Sequence, residues 1–177
     1  MYQNFHNRFN HNISDKLIKH RLLDHIISFN LISLEILKRI ENDHKDIKLK
    51  CKNVKKNLIK YNKLNLLDYL IKHYNINLNH LNGYSLLKSV ELKNYDMIHL
   101  LLDYDVDYSI NDYQPVKLLI KYNELDILQR LDLPNHLTNL LFIAVKYKNY
   151  DIIKFLMEQK GFRPNIKIIN LINEIGI

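Results

Sequence analysis

Between Lys45 and Lys63 the chain sets eight lysines (Lys45, Lys48, Lys50, Lys52, Lys55, Lys56, Lys60 and Lys63) against one acid, Asp46. That segment carries the whole formal charge of +7, because the other 18 basic and 18 acidic residues cancel. On a helix of 3.6 residues per turn, Lys52, Lys56, Lys60 and Lys63 fall within about 80° of one another, with Val54, Leu58 and Tyr61 on the other side. A cationic face of this kind attracts an acidic protein or the phosphates of a nucleic acid. Neutralising about six phosphates would make affinity fall roughly 10³-fold between about 50 and 200 mM salt. Arginine is scarce and Tyr61 is the only aromatic within the segment, so base-specific readout finds little support. The same lysines also fit a plain solvated helix face.

The remaining reactive residue types form no catalytic pattern. Asp103, Asp105 and Asp107 alternate as in a calcium loop, with Ile110 at the apolar place. Tyr108, however, stands where that loop needs glycine, and Gln114 where it needs a bidentate glutamate. These acids, extended by Asp112, read instead as a negative patch. Of the nine histidines, His20 and His25 lie five apart, which does not bring both onto one helical face, and no pair has a glutamate at metalloprotease spacing. Gly83, Gly161 and Gly176 are isolated, so no glycine-rich phosphate loop exists, and no serine lies in a Gly-x-Ser-x-Gly frame. Cys51 is the sole cysteine, which excludes an internal disulfide and a cysteine-based zinc site. Its neighbours Lys50 and Lys52 can lower a thiol pKa. The expectation is a protein without catalytic residues, cofactor or metal, which works by binding.

The elements that must present such a surface are helices. With only 3 Gly and 3 Pro among 177 residues, the chain lacks the turn residues that a sheet protein needs. A motif recurs as Leu34-Glu35-Ile36-Leu37, Leu64-Asn65-Leu66-Leu67, Tyr95-Asp96-Met97-Ile98, Leu125-Asp126-Ile127-Leu128 and Tyr150-Asp151-Ile152-Ile153. Ile40, Leu70, Leu101, Leu131 and Leu156 each follow the opening residue by six, and the openings lie 30, 31, 30 and 25 residues apart. Self-similarity at such a period marks a stacked array, and the apolar spacing within each copy is helical. A second helical stretch precedes each copy, carrying Leu86, Ser89 and Val90, then Val116, Leu119 and Ile120, then Leu141, Ala144 and Val145. Ile59 and Phe29 hold the place of the last member in the two earlier units. The turns between the helices contain Lys93-Asn94, Asn123-Glu124 or Lys148-Asn149, and Asn tolerates the left-handed backbone that such turns need.

These residues resemble the ankyrin repeat family. Asn75-Ile76-Asn77-Leu78-Asn79-His80-Leu81-Asn82-Gly83-Tyr84-Ser85-Leu86-Leu87 is similar to the loop ending in Asn-Gly that precedes a Thr-Pro-Leu-His-like helix start. Gln114-Pro115-Val116 keeps the proline of that start, where a missing N–H costs nothing. Leu141-Phe142-Ile143-Ala144 keeps the Leu-x-x-Ala spacing, and Lys160-Gly161-Phe162-Arg163-Pro164-Asn165 resembles the exit from the second helix. The likeness covers roughly residues 15–177, in an Asn- and Ile-rich style similar to ankyrin proteins of large DNA viruses and AT-rich protists. The chain departs from the family at the usual histidine, where Leu87, Lys117 and Phe142 stand, and in having Leu or Ile at many small-residue positions. The 25-residue step after Leu125 leaves no room for a full hairpin finger.

The resemblance implies an all-α fold, an ankyrin-like α-solenoid of about five helix-turn-helix repeats closed by a capping helix. The expected layout is a polar tail over 1–12 and a single domain over 13–177, with units at 13–45, 46–80, 81–110, 111–135 and 136–165 and a cap at 166–177. It implies a non-catalytic scaffold that binds a protein partner through the concave face and the finger tips. On that basis His80, Asn82, Tyr84, Tyr108, Asp112 and Tyr113 join Lys52, Lys56, Lys60 and Lys63 as candidate partner-binding residues, although Tyr84 and Tyr108 fit a place packed between neighbouring units equally well. Electrostatic binding of a nucleic acid or of an acidic partner through 45–63 stands as the alternative. The absence of an apolar run of roughly 20 residues or of an apolar leader at Met1-Tyr2-Gln3-Asn4-Phe5-His6 leads to the expectation of a soluble, intracellular monomer.

Overall fold

The computed structural model describes residues 33–43, 54–74, 76–79, 83–134, 136 and 138–176. Among them every regular element is helical and no strand occurs. The expected tail over 1–12 and Phe29 lie outside the described residues, as do His20, His25, Cys51, Lys52, His80 and Asn82. The chain divides into two compact units, Met1–His80 and Leu81–Ile177. The division falls where the repeat reading steps from its second to its third helix pair.

The first unit contains α1 (Leu34–Asp43), α2 (Val54–Lys60) and α3 (Leu64–Tyr74), with α3 packed on both α1 and α2. The second contains α4 (Tyr84–Glu91), α5 (Tyr95–Asp103), α6 (Ile110–Tyr122), α7 (Leu125–Gln129), α8 (Thr138–Lys146), α9 (Tyr150–Lys154) and α10 (Ile166–Ile175). Here α4 packs on α5 and on α6, α6 on α7 and α8, and α8 on α10 as well as α9. Within the second unit the first helix of each pair therefore touches both its own partner and the first helix that follows.

The apolar spacing explains this packing. All five motif openings, Leu34, Leu64, Tyr95, Leu125 and Tyr150, are the first residues of helices. The residues two, three and six places on point to one side and are buried: Leu66, Leu67 and Leu70; Met97, Ile98 and Leu101; Ile127, Leu128 and Leu131; Ile152, Ile153 and Leu156. The preceding trios are buried as well. A helix pair alone would leave these stripes in water at a cost of about 1.5–3 kcal/mol per large side chain, so neighbouring pairs hold each other folded.

The turns inside the pairs share one hydrogen-bond pattern. Asn94 N–H donates to Ser89 O and Lys93 N–H to Val90 O; Glu124 N–H donates to Leu119 O and Asn123 N–H to Ile120 O. The same two bonds join Asn149 to Ala144 and Lys148 to Val145, and Lys63 to Leu58 and Asn62 to Ile59. This is a Schellman ending, which satisfies helix-terminal carbonyls through one left-handed residue. The left-handed residues are Asn62, Lys93, Asn123 and Lys148, so in two of the four turns lysine takes the strained place that the sequence reading gives to asparagine. Asn94 instead caps α5, its side chain accepting from Met97 N–H.

Two further backbone features shape the entries to the first helices. Gly83 has φ of 66°, and a Cβ there would lie 3.0 Å from Ile110 Cβ, so both conformation and space require glycine. Asn111, Asp112 and Tyr113 are consecutively left-handed, with φ of 55°, 54° and 57°. Right-handed helix begins only after them, which puts Pro115 in its first turn, where it is tolerated. The second helices also vary. α7 spans five residues, with Leu131 buried just beyond it, and α9 continues as a π turn over Phe155–Gln159 that buries Phe155 and Leu156.

Candidate binding surface

Side chains bridge neighbouring helix pairs at separations of 24 to 33 residues in sequence, several of them at 29. Tyr95 donates its hydroxyl to Glu124, 29 residues away, and Asn149 Nδ2 donates to Ile120 O, also 29 away. Lys160 Nζ donates to Leu131 O at 2.9 Å, again across 29 residues. Arg130 reaches Asp103 at 2.6 Å and His99 Nδ1, across 27 and 31 residues. The Lys93 ammonium lies 4.6 Å from the Tyr122 ring centre and Lys121 5.7 Å from Tyr147. In the first unit Tyr69 donates to Glu41 across 28 residues. That bond, with burial and the carboxylate charge adding to it, raises the Tyr69 phenol to about 12. The hydrogen bond to Glu124 raises Tyr95 in the same way.

The four-lysine face is not one helical stripe. α2 stops at Lys60, the left-handed Asn62 turns the chain, and Lys63 lies beyond the turn at the entry to α3. Lys60 is exposed, 5.2 Å from the Tyr61 ring centre, while Lys56 is half-buried. Lys55 is withdrawn altogether: it is 3% exposed and its ammonium donates to Asn77 O. The repeat register contains a signal for this. Lys55 lies four residues before Ile59, the place that Leu86, Val116 and Leu141 fill in later pairs.

The loop residues come together, but as mutual partners. Tyr108 donates its hydroxyl to Asp132 O at 2.8 Å. Burial raises its pKa, with the Asp132 charge adding to the rise. The Tyr113 ring lies 6.5 Å away in a tilted arrangement, and Asp112 pairs with Lys117. Asp103 is held by Arg130, and Asp107 accepts from both Ser109 N–H and Oγ. Tyr84, at the start of α4, is half-buried.

The sequence reading names the concave face but not the residues that line the first helices of the second unit. The residues just past the first buried member of each trio are Leu87, Lys117 and Phe142, followed by Lys88, Leu118 and Ile143, and all six are half-buried. Ile169 follows the buried Ile168 in the same way on α10 and is 44% exposed. Lys167 crosses from α10 to stand 4.9 Å from the Phe142 ring centre. Charge follows the same division. By formal count α4, α6 and α8 carry 0, +1 and +1, whereas α5, α7 and α9 with its π turn carry −2, −1 and −1. α2 against α3 shows the same bias, +3 against 0.

Among the described residues, no helix is long and apolar enough to cross a membrane. The chain matches no family model, no curated protein and no solved structure.

Proposed function

We propose that the chain is an ankyrin-like α-solenoid that acts as a non-catalytic scaffold, binding a protein partner along the exposed side of its first helices. The observation that carries this reading is the recurrence of bridging contacts about 29 residues apart. Such contacts arise when successive helix pairs are related by translation, and they are not expected of helices wrapped round one centre. The three matching Schellman turns of the second unit support the same relation. Within that unit the translated first helices offer a surface suited to a partner burying on the order of 1,200–2,000 Å² in total. Nucleic-acid binding through 45–63 is the weaker reading, because Lys55 is committed to Asn77 and Lys63 leaves the helix that carries Lys60.

Photo-crosslinking amino acids placed singly at Lys121 and Ile143, on first helices, and at Gln129 and Lys154, on second helices, test the reading in native extract. Crosslinks to one protein from the first two positions only are expected, with the same pattern when that protein is purified and added back. Equal capture from all four positions, or none from any, would overturn it.

A further inference from the structure

We infer that the first-helix surface of the second unit binds an acidic amphipathic segment of a partner protein, one that offers Leu-, Ile- or Phe-like side chains together with carboxylates. This rests on the reading of that surface as the binding side and adds the chemistry of what it binds. Leu87, Leu118, Phe142 and Ile143 are half-buried, so a partner that covers them gains roughly 25 cal/mol for each Å² of apolar area removed from water. Lys121, Lys146 and Lys167 are exposed beside them. Lysine keeps its stem on apolar surface and its charge in water, so these residues can flank an apolar contact and still pair with carboxylates at its rim.

Helix dipoles account for part of this charge. Lys88, Lys121 and Lys146 sit in last turns, where cations are favoured. Lys117 in the body of α6 is held by Asp112, but the dipole does not account for Lys167 at the second residue of α10, where a cation is disfavoured. A nucleic acid fits the surface less well. The first helices of the second unit contain no arginine to grip a phosphate or stack on a base. Half-buried aliphatic side chains offer nothing to a phosphate backbone, whereas they match the apolar side of an acidic peptide.

The test is selection from a displayed library of random peptides of roughly twelve residues on the full chain, without a presumed partner. The selected peptides should carry net negative charge together with Leu, Ile or Phe. They should bind the K121E/K146E/K167E variant at least about ten-fold more weakly, through lost charge complementarity. They should keep their affinity for the D126K/D151K variant, with circular dichroism confirming that both variants are folded. Neutral or basic selected peptides, no selection above a blank surface, or equal binding to K121E/K146E/K167E would overturn the inference. So would oligouridylate that displaces the peptides and binds more tightly than they do. If the library fails while crosslinks at Lys121 and Ile143 persist, the binding surface stands and its acidic ligand does not.

Discussion

In the second unit the first and second helices of each pair are built on the same buried spacing and dressed differently outside. α4, α6 and α8 carry the half-buried Leu87, Leu118, Phe142 and Ile143 beside lysines, whereas α5, α7 and α9 carry Asp96, Asp126 and Asp151 in their first turns beside the exposed Tyr95 and Tyr150 and the half-buried Leu100, Leu102 and Leu125. Acids there satisfy the helix dipole and keep the surface wet. The difference teaches that both layers leave apolar side chains at the surface, and that the sign of the charge set beside them separates one layer from the other.

Variants can break or sharpen that contrast in descending order. Leu101→Ala removes a fully buried side chain of α5. It should lower unfolding free energy by about 2–5 kcal/mol, read as a fall in urea midpoint, and weaken both layers together. Gly83→Ala places a Cβ against Ile110 in a left-handed residue. It should cost at least about 1 kcal/mol, with exchange of amide protons rising first in α4, so that one layer loosens before the other. Asn165→Ala removes the cap that accepts from Ile168 N–H. It should cost about 1 kcal/mol and fray α10, reducing peptide binding on the first-helix side while exchange in α5 and α7 stays unchanged.

The smallest effect lies in the first unit and is one of pH. Tyr69, hydrogen-bonded to Glu41, is raised to about 12, whereas a free tyrosine loses its proton near about 10. The neutral phenol is favoured by folding, so its contribution is complete below about pH 10 and disappears as pH rises toward 12. The wild-type urea midpoint should fall more across that window than that of Tyr69→Phe. Equal falls would show that the Glu41 bond does not hold the proton.

Much of this was legible in the sequence. The five motif openings begin helices, and the apolar trios are buried, because both follow from spacing on a single helix. The capping helix expected over 166–177 runs from Ile166 to Ile175, with Asn165 as an N-cap that spacing does not name. Residues whose environment depends on a neighbouring pair were not read. Lys55 looked like one more surface cation, yet its register places it inside. For Tyr108 spacing leaves a binding tip and a packed place equally open, and the structure shows the packed one, with its hydroxyl on Asp132 O and its ring near Tyr113. The left-handed run at Asn111–Tyr113 has no local signal at Tyr113, since only Asn and Asp among the three tolerate that conformation readily. The half-exposed apolar surface on α4, α6 and α8 was present in the repeat alignment, but spacing alone does not say how far a neighbour covers each position.

The most direct test of the account is backbone hydrogen exchange on the full chain with and without a selected acidic peptide. Added protection should fall in α4, in the right-handed part of α6, in α8 and in α10, with α5, α7 and α9 unchanged. Protection concentrated in the second helices, or in the loops around Tyr108 and Asp132, would contradict the assignment of the first-helix layer as the binding side.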